Sequence, residues 1–162
     1  MTVIAVTGHM DLTEPSVALV REALGALLGF HADDGLTGVS CIAKGADAIF
    51  ADVVLSLGGS LVVLVPSADY RQTKVKPDYA AEFDRLHGAA NEVVVMPHAE
   101  ADRAAYEAAN EELLRRADHL FAVWDGRPGN GRGGTADTVA GARAAGLPVT
   151  VVWPDGAARQ IR

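Results

Sequence analysis

The chain of 162 residues is 49% hydrophobic and carries 21 acidic against 14 Lys and Arg residues, a formal net charge of −7; it is long enough to bury a core and short enough to be one domain, 1–162. A single cysteine, Cys41, excludes an internal disulfide and a multi-cysteine zinc site, and the five histidines fall at no close ligand spacing, so no metal is expected. The acidic balance argues against the dense cationic footprint that holds DNA or RNA, and no apolar run reaches about 18 residues, so the expectation is a cytoplasmic protein with no nucleic-acid and no membrane partner.

Short β-branched runs alternate with longer Ala/Leu/Glu/Arg-rich stretches from end to end, the pattern of repeated βα units around a parallel sheet. The opening Met1–Thr7 is charge-free but too short for a signal peptide's apolar region and lacks a basic flank, so Val3–Thr7 reads as the first strand. A helix follows from about Glu14 to Leu28: Thr13 is its N-cap, Pro15 suits its first turn, and Val17, Val20, Leu24 and Leu27 or Leu28 keep the helical period. Val39–Ala43 is the second strand, and a helix from Ala46 to Leu57 stops at Gly58-Gly59. Leu61–Val65 is the third strand. The aperiodic Pro66–Pro77, with Arg71, Lys74 and Lys76, reads as a lid-like loop. Helices over Asp78–Ala90 and Ala101–Ala117 flank a strand at Glu92–Met96, and further strands lie at His119–Trp124 and Val149–Trp153, all six apolar enough to be buried on both faces. The sequence from Pro154 onward is small, polar and expected to be peripheral. The fold class is therefore α/β, a Rossmann-like three-layer α/β/α arrangement with a mostly parallel sheet of about six strands.

Between the last two strands, Phe121–Val139 holds five glycines, Gly126, Gly129, Gly131, Gly133 and Gly134, within nine positions, then opens into a helix from Thr135 to Ala145. Bare backbone amides and a helix N-terminus suit an anion, phosphate above all. In a parallel sheet this junction shares one edge with Thr7-Gly8-His9 and Lys44-Gly45-Ala46-Asp47. Three glycine-bearing junctions at one edge make a nucleotide-sized ligand the economical reading. Lys44 offers a point charge to phosphate, and Gly133, Gly134 and Thr135 offer amides and a hydroxyl. Asp47 either caps its helix or accepts ligand hydroxyls; Asp125 either serves the ligand or bonds loop amides. His9 can stack or hydrogen-bond, and Asn110 stands out among strong helix formers. Gly45 and Gly126 belong to the same bends. His31, His87, His98 and His119 read as structural, and Trp124 and Trp153 as packing at the core edge.

The succession Thr7-Gly8-His9, Lys44-Gly45-Ala46-Asp47, Trp124-Asp125-Gly126 and Gly133-Gly134-Thr135-Ala136-Asp137 resembles the SLOG superfamily of Rossmann-like domains, which includes the Lonely Guy cytokinin-activating proteins, the DNA-processing A proteins and the molybdenum-cofactor carriers. The resemblance spans nearly the whole chain, and its last motif is the specific one. It implies nucleotide binding at the glycine-rich loop. Three functions follow from it: binding of a nucleotide or nucleotide-derived ligand; hydrolysis of the N-glycosidic bond of a nucleoside 5′-monophosphate; or a cofactor carrier or regulatory module. The enzyme branch carries Pro-Gly-Gly-x-Gly-Thr-x-x-Glu, whereas here Arg132 precedes Gly133 and Thr138 occupies the glutamate's place. Asp137, one residue early and rotated by about 100° on a helix, is the candidate catalytic carboxylate, with Glu82 and Asp84 more remote and Arg71 and Arg103 as candidate partners. Such folds often self-associate through helix faces, so a homo-oligomer is compatible with the sequence.

Overall fold

The computed structural model describes residues 1–129 and 134–161. Six strands, β1 (Thr2–Gly8), β2 (Leu36–Ser40), β3 (Ser60–Val65), β4 (Glu92–Val95), β5 (His119–Val123) and β6 (Val149–Val151), form one sheet in the order β4-β3-β2-β1-β5-β6. Every pairing is parallel. The chain winds outward from β1 to β4, returns to the other side of β1 at β5, and continues to β6. The order thus reverses between β1 and β5, where an open α/β sheet leaves a crevice beyond the carboxyl ends of its strands.

Helices α1 (Glu14–Gly29), α2 (Ala46–Ser56), α3 (Tyr70–Thr73), α4 (Pro77–Ala89), α5 (Arg103–Arg116) and α6 (Thr135–Ala144) supply the crossovers. Alternation along the central strands decides which layer each helix joins. On one face Ile4, Val6, Phe121 and Val123 pack with Val20 and Leu24 of α1 and with Phe50 and Val54 of α2. On the other, Ala5, Leu120 and Ala122 meet Leu113 of α5 and Val139 and Ala142 of α6. A third cluster joins Leu61 and Val63 to Phe83 and Leu86 of α4. None of the described helices is long and apolar enough to cross a membrane.

Four local expectations are corrected. The second strand lies at Leu36–Ser40 rather than Val39–Ala43, because the backbone leaves the ladder at Cys41 and Ile42 takes φ 46°. The strands are not all buried on both faces: β4 exposes Val93 and Val95, and β6 exposes Val151, since an edge strand has fewer helices over it. Within Pro66–Pro77 one helical turn, α3, forms. The segment from Pro154 is not peripheral. Arg159 bridges antiparallel to Leu12, the Thr13 amide donates to the Ala158 carbonyl at 3.0 Å, and the Gln160 amide donates to the Asp11 carbonyl at 2.7 Å.

Candidate functional site

A cleft of about 1080 Å³ opens beyond the carboxyl ends of β1, β2, β3 and β5, and the first turn of α6 forms part of its wall. Two glycines let the backbone close beneath it. A Cβ on Gly8 would stand 2.4 Å from Cβ of Ala46 and 2.8 Å from Cβ of Val123, so only glycine lets β1 end against both α2 and β5. Gly45 has φ 93°, and a Cβ there would meet the His9 carbonyl at 2.7 Å. His9 then ties the junctions together, its amide donating to the Val123 carbonyl and its own carbonyl accepting from the Ala46 amide, both at 3.1 Å.

The β1–β5 end of the cleft is ionic. His9 is buried, its ring edge-on to Trp153 at 5.6 Å, and its Nε2 accepts from the Asp125 amide at 3.1 Å while lying 3.3 Å from the Asp125 carboxylate. An accepting Nε2 requires the tautomer protonated at Nδ1. Burial first, then the charge of Arg159, holds the imidazole below 6.5 despite Asp125. Asp125 is pushed up by burial, but the Arg127 amide, His9 and Arg159 together keep it below the usual carboxylate range. Nε of Arg159 donates to Asp11 at 2.8 Å, and the same guanidinium lies 3.9 Å from Asp125.

The β2–β3 end is aromatic and has one carboxyl. Asp47, in the first turn of α2, lines the cleft with Cys41, Tyr70, Tyr106 and Asn110. Burial pushes its carboxyl up to about 7, against a hydrogen bond from the Ala43 amide. Burial also raises the Cys41 thiol and the Tyr70 hydroxyl. The turn supporting this end is strained, since φ 46° is a left-handed value that a β-branched residue rarely adopts. The buried Ser40 hydroxyl accepts from the Ile42 amide at 3.0 Å and donates to the Asp47 carbonyl at 3.1 Å, while the Tyr79 hydroxyl donates to the Ile42 carbonyl at 2.7 Å. With its side chain fully buried, Ile42 is held in that conformation from both sides.

Of the residues singled out in the sequence, Thr7, Gly8, His9, Asp47, Asn110, Asp125, Gly134 and Thr135 line the cleft together. Gly133 lies outside the described residues, as does Gly131. Lys44 is exposed and pairs with Asp78 of α4 at 3.4 Å, away from the lining. Gly45 acts beneath the cleft, and Gly126, φ 83°, turns the backbone in open space. Asp137 is exposed on α6 and does not line the cleft. Glu82 and Asp84 are also remote, held by Arg85 and Arg71 on α4 and α3, and Arg103 faces Glu107. Sequence reasoning missed Asp11, Tyr70, Tyr106, Trp153 and Arg159. Arg159 carried no signal because its part depends on the tail folding back against Asp11–Ser16; Tyr70 sits in a segment that showed no period, and Tyr106 reads as part of the apolar face of α5.

No protein-family model matches the chain, and no curated protein matches it. Solved structures do. DNA processing protein A from Streptococcus pneumoniae aligns with 93% of this chain and 50% of its own at 16% identity and a TM-score of 0.70. DNA processing protein A from Helicobacter pylori, described by its single-stranded DNA binding mode, aligns with 93% of this chain and 64% of its own at 17% identity and a TM-score of 0.68. The molybdenum cofactor binding protein from Rippkaea orientalis aligns over 93% and 75% at 19% identity and a TM-score of 0.58. The chain spans half of the first neighbour and less than two thirds of the second. The exclusion of nucleic acid on net charge is corrected here, because a neighbour of the same fold binds single-stranded DNA. Net charge averages over the whole surface, whereas the described lining of the cleft sets Lys74, Arg127 and Arg159 against Asp11, Asp47 and Asp125. The fold of this chain is the Rossmann-like α/β fold that these solved structures share.

Proposed function

We propose that the cleft binds a phosphorylated nucleotide or a nucleotide-derived cofactor. The observation that carries this reading is the position of a large cleft at the reversal of strand order, with the amino end of α6 in its wall. The amides at Gly134 and Thr135 favour an anion there, and the Thr135 hydroxyl adds a donor. The volume exceeds that of a lone phosphate or sugar and suits a mononucleotide or larger ligand. That neighbours of the same fold are described as binding single-stranded DNA and the molybdenum cofactor supports a ligand with a ring and a phosphate.

Binding is the function this arrangement favours over glycosidic cleavage, because Asp137, the carboxylate nominated for hydrolysis, stands outside the cleft. Isothermal calorimetry against nucleoside mono- and diphosphates, NAD-derived nucleotides and a short oligothymidylate tests the proposal. Saturable micromolar binding of at least one mononucleotide, weakened about tenfold or more in Thr135→Val, is the expected result. Heat from the oligothymidylate alone would make the protein a polynucleotide binder instead, and no heat from any of them would end the proposal.

A further inference from the structure

The two ends of the cleft differ in chemistry, and the difference gives the ligand a direction. His9, Asp125, Arg159 and the amino end of α6 gather at one end; Cys41, Asp47, Tyr70, Tyr106 and Asn110 gather at the other. Resting on the nucleotide-binding reading, we infer that the β2–β3 end is a subsite for a neutral heteroaromatic ring with an unprotonated ring nitrogen, which takes a hydrogen bond from the Asp47 carboxyl while Asn110 and Tyr106 flank it.

The aromatic part of the argument is geometric. Tyr106 of α5 is half-buried in the cleft wall, held edge-on to Tyr70 with ring centroids 6.4 Å apart, and Tyr70 is backed by Phe83 at 6.0 Å. A ring immobilised on a packed aromatic stack offers contact area with little ordering cost, which suits a flat ligand. Asn110 lies one helical turn beyond Tyr106, at i and i+4 on one face of α5, and brings both a donor and an acceptor to the same wall.

The carboxyl part follows from what surrounds Asp47. Cys41 stands beside it on the β2–α2 turn, Tyr70 faces it from α3 and Tyr79 from α4, each raised above its ordinary value. Tyr106 on α5 is raised by burial as well, and Lys74 lies on the rim next to α3. Among the described residues no cation bonds the Asp47 carboxyl, and the Ala43 amide occupies one acceptor site. Partly buried in the cleft wall with no cation beside it among the described residues, the group stays a carboxylic acid up to about pH 7. Its O–H then donates to a ring nitrogen, a bond that the ionised form cannot make.

Three probes separate the subsite from the cleft as a whole: adenosine monophosphate, adenosine and ribose 5-phosphate, titrated at pH 6 and pH 8 into wild type, Asp47→Asn and Asp47→Ala. Adenosine monophosphate should bind at least tenfold tighter than ribose 5-phosphate. Adenosine affinity should fall about tenfold from pH 6 to pH 8 in wild type, following the acid fraction of a group titrating near 7. Asp47→Asn, which keeps a donor beside an acceptor, should bind adenosine equally at both pH values, and Asp47→Ala should bind it weakly at both. Ribose 5-phosphate binding as tightly as the nucleotide would overturn the subsite and leave nucleotide binding standing, as would a pH dependence that survives in Asp47→Asn. Failure of all three probes to bind would overturn both.

Discussion

Asp47 and His9 occupy one cleft, yet they make the protein's stability respond to pH in opposite directions. Asp47 titrates near 7 in the fold and near 3.8 in an unfolded chain. Between those values the native state holds the extra proton, so stability is full below about pH 3.8, declines as pH rises towards 7, and is level above it. Urea denaturation should therefore find Asp47→Asn more stable than wild type at pH 8 by about 4 kcal/mol, with the gap closing towards pH 4; equal stabilities at pH 8 would mean that the carboxyl is not held in its acid form. His9 is lowered below 6.5, so on acidification through 6.5 the unfolded chain takes up a proton that the native state refuses, and stability falls. In His9→Gln the acid-side slope attributable to this group should vanish. Glycine 8 is a purely steric case. Gly8→Ala places a methyl 2.4 Å from that of Ala46 and should cost about 2–3 kcal/mol in denaturant midpoint experiments; a cost below about 0.5 kcal/mol would show that β1 and α2 are not so tightly joined.

At the scale of elements, the tail and the β2–α2 turn are the parts that set the shape of the cleft. The tail is fastened by the Leu12–Arg159 bridge, by Ser16 bonding to both polar groups of Ala158, and by the Arg159 pair with Asp11. Removing the guanidinium in Arg159→Ala should leave the sheet intact, lower global stability by about 1 kcal/mol, and raise amide hydrogen exchange at Gln160 well above its wild-type rate. Unchanged exchange there would assign the fastening to the backbone alone. These elements also mark how far the sequence was legible. The helices over 14–29 and 46–56 were readable because Pro15, Gly58 and apolar residues at helical spacing are local signals. The second strand was displaced because Val39–Ala43 looks extended in composition, while the turn at Ile42 is imposed by Ser40 and by Tyr79 from a distant helix. The tail was misjudged because its partners, Asp11 to Ser16, lie more than 140 residues away.

For the whole molecule, the order of strands explains why residues from four junctions meet. β1 lies between β2 and β5, so Thr7, Asp47 and Asp125 share a cleft although they are spread over 118 residues of sequence. That convergence was legible from the alternation of strands and helices, since parallel strands send their carboxyl ends to one edge. Electrostatic character was not legible from the same totals. A net charge of −7 says nothing of a cleft whose described lining balances acids and bases, and at such a site the nearby ion pairs govern ligand binding. The most direct measurement is a crystal structure of the protein with adenosine monophosphate at saturating concentration. It should place the phosphate within hydrogen-bonding distance of the Gly134 and Thr135 amides and the adenine between Asp47 and Tyr106. An empty cleft, or a nucleotide bound at any other surface, would contradict the account.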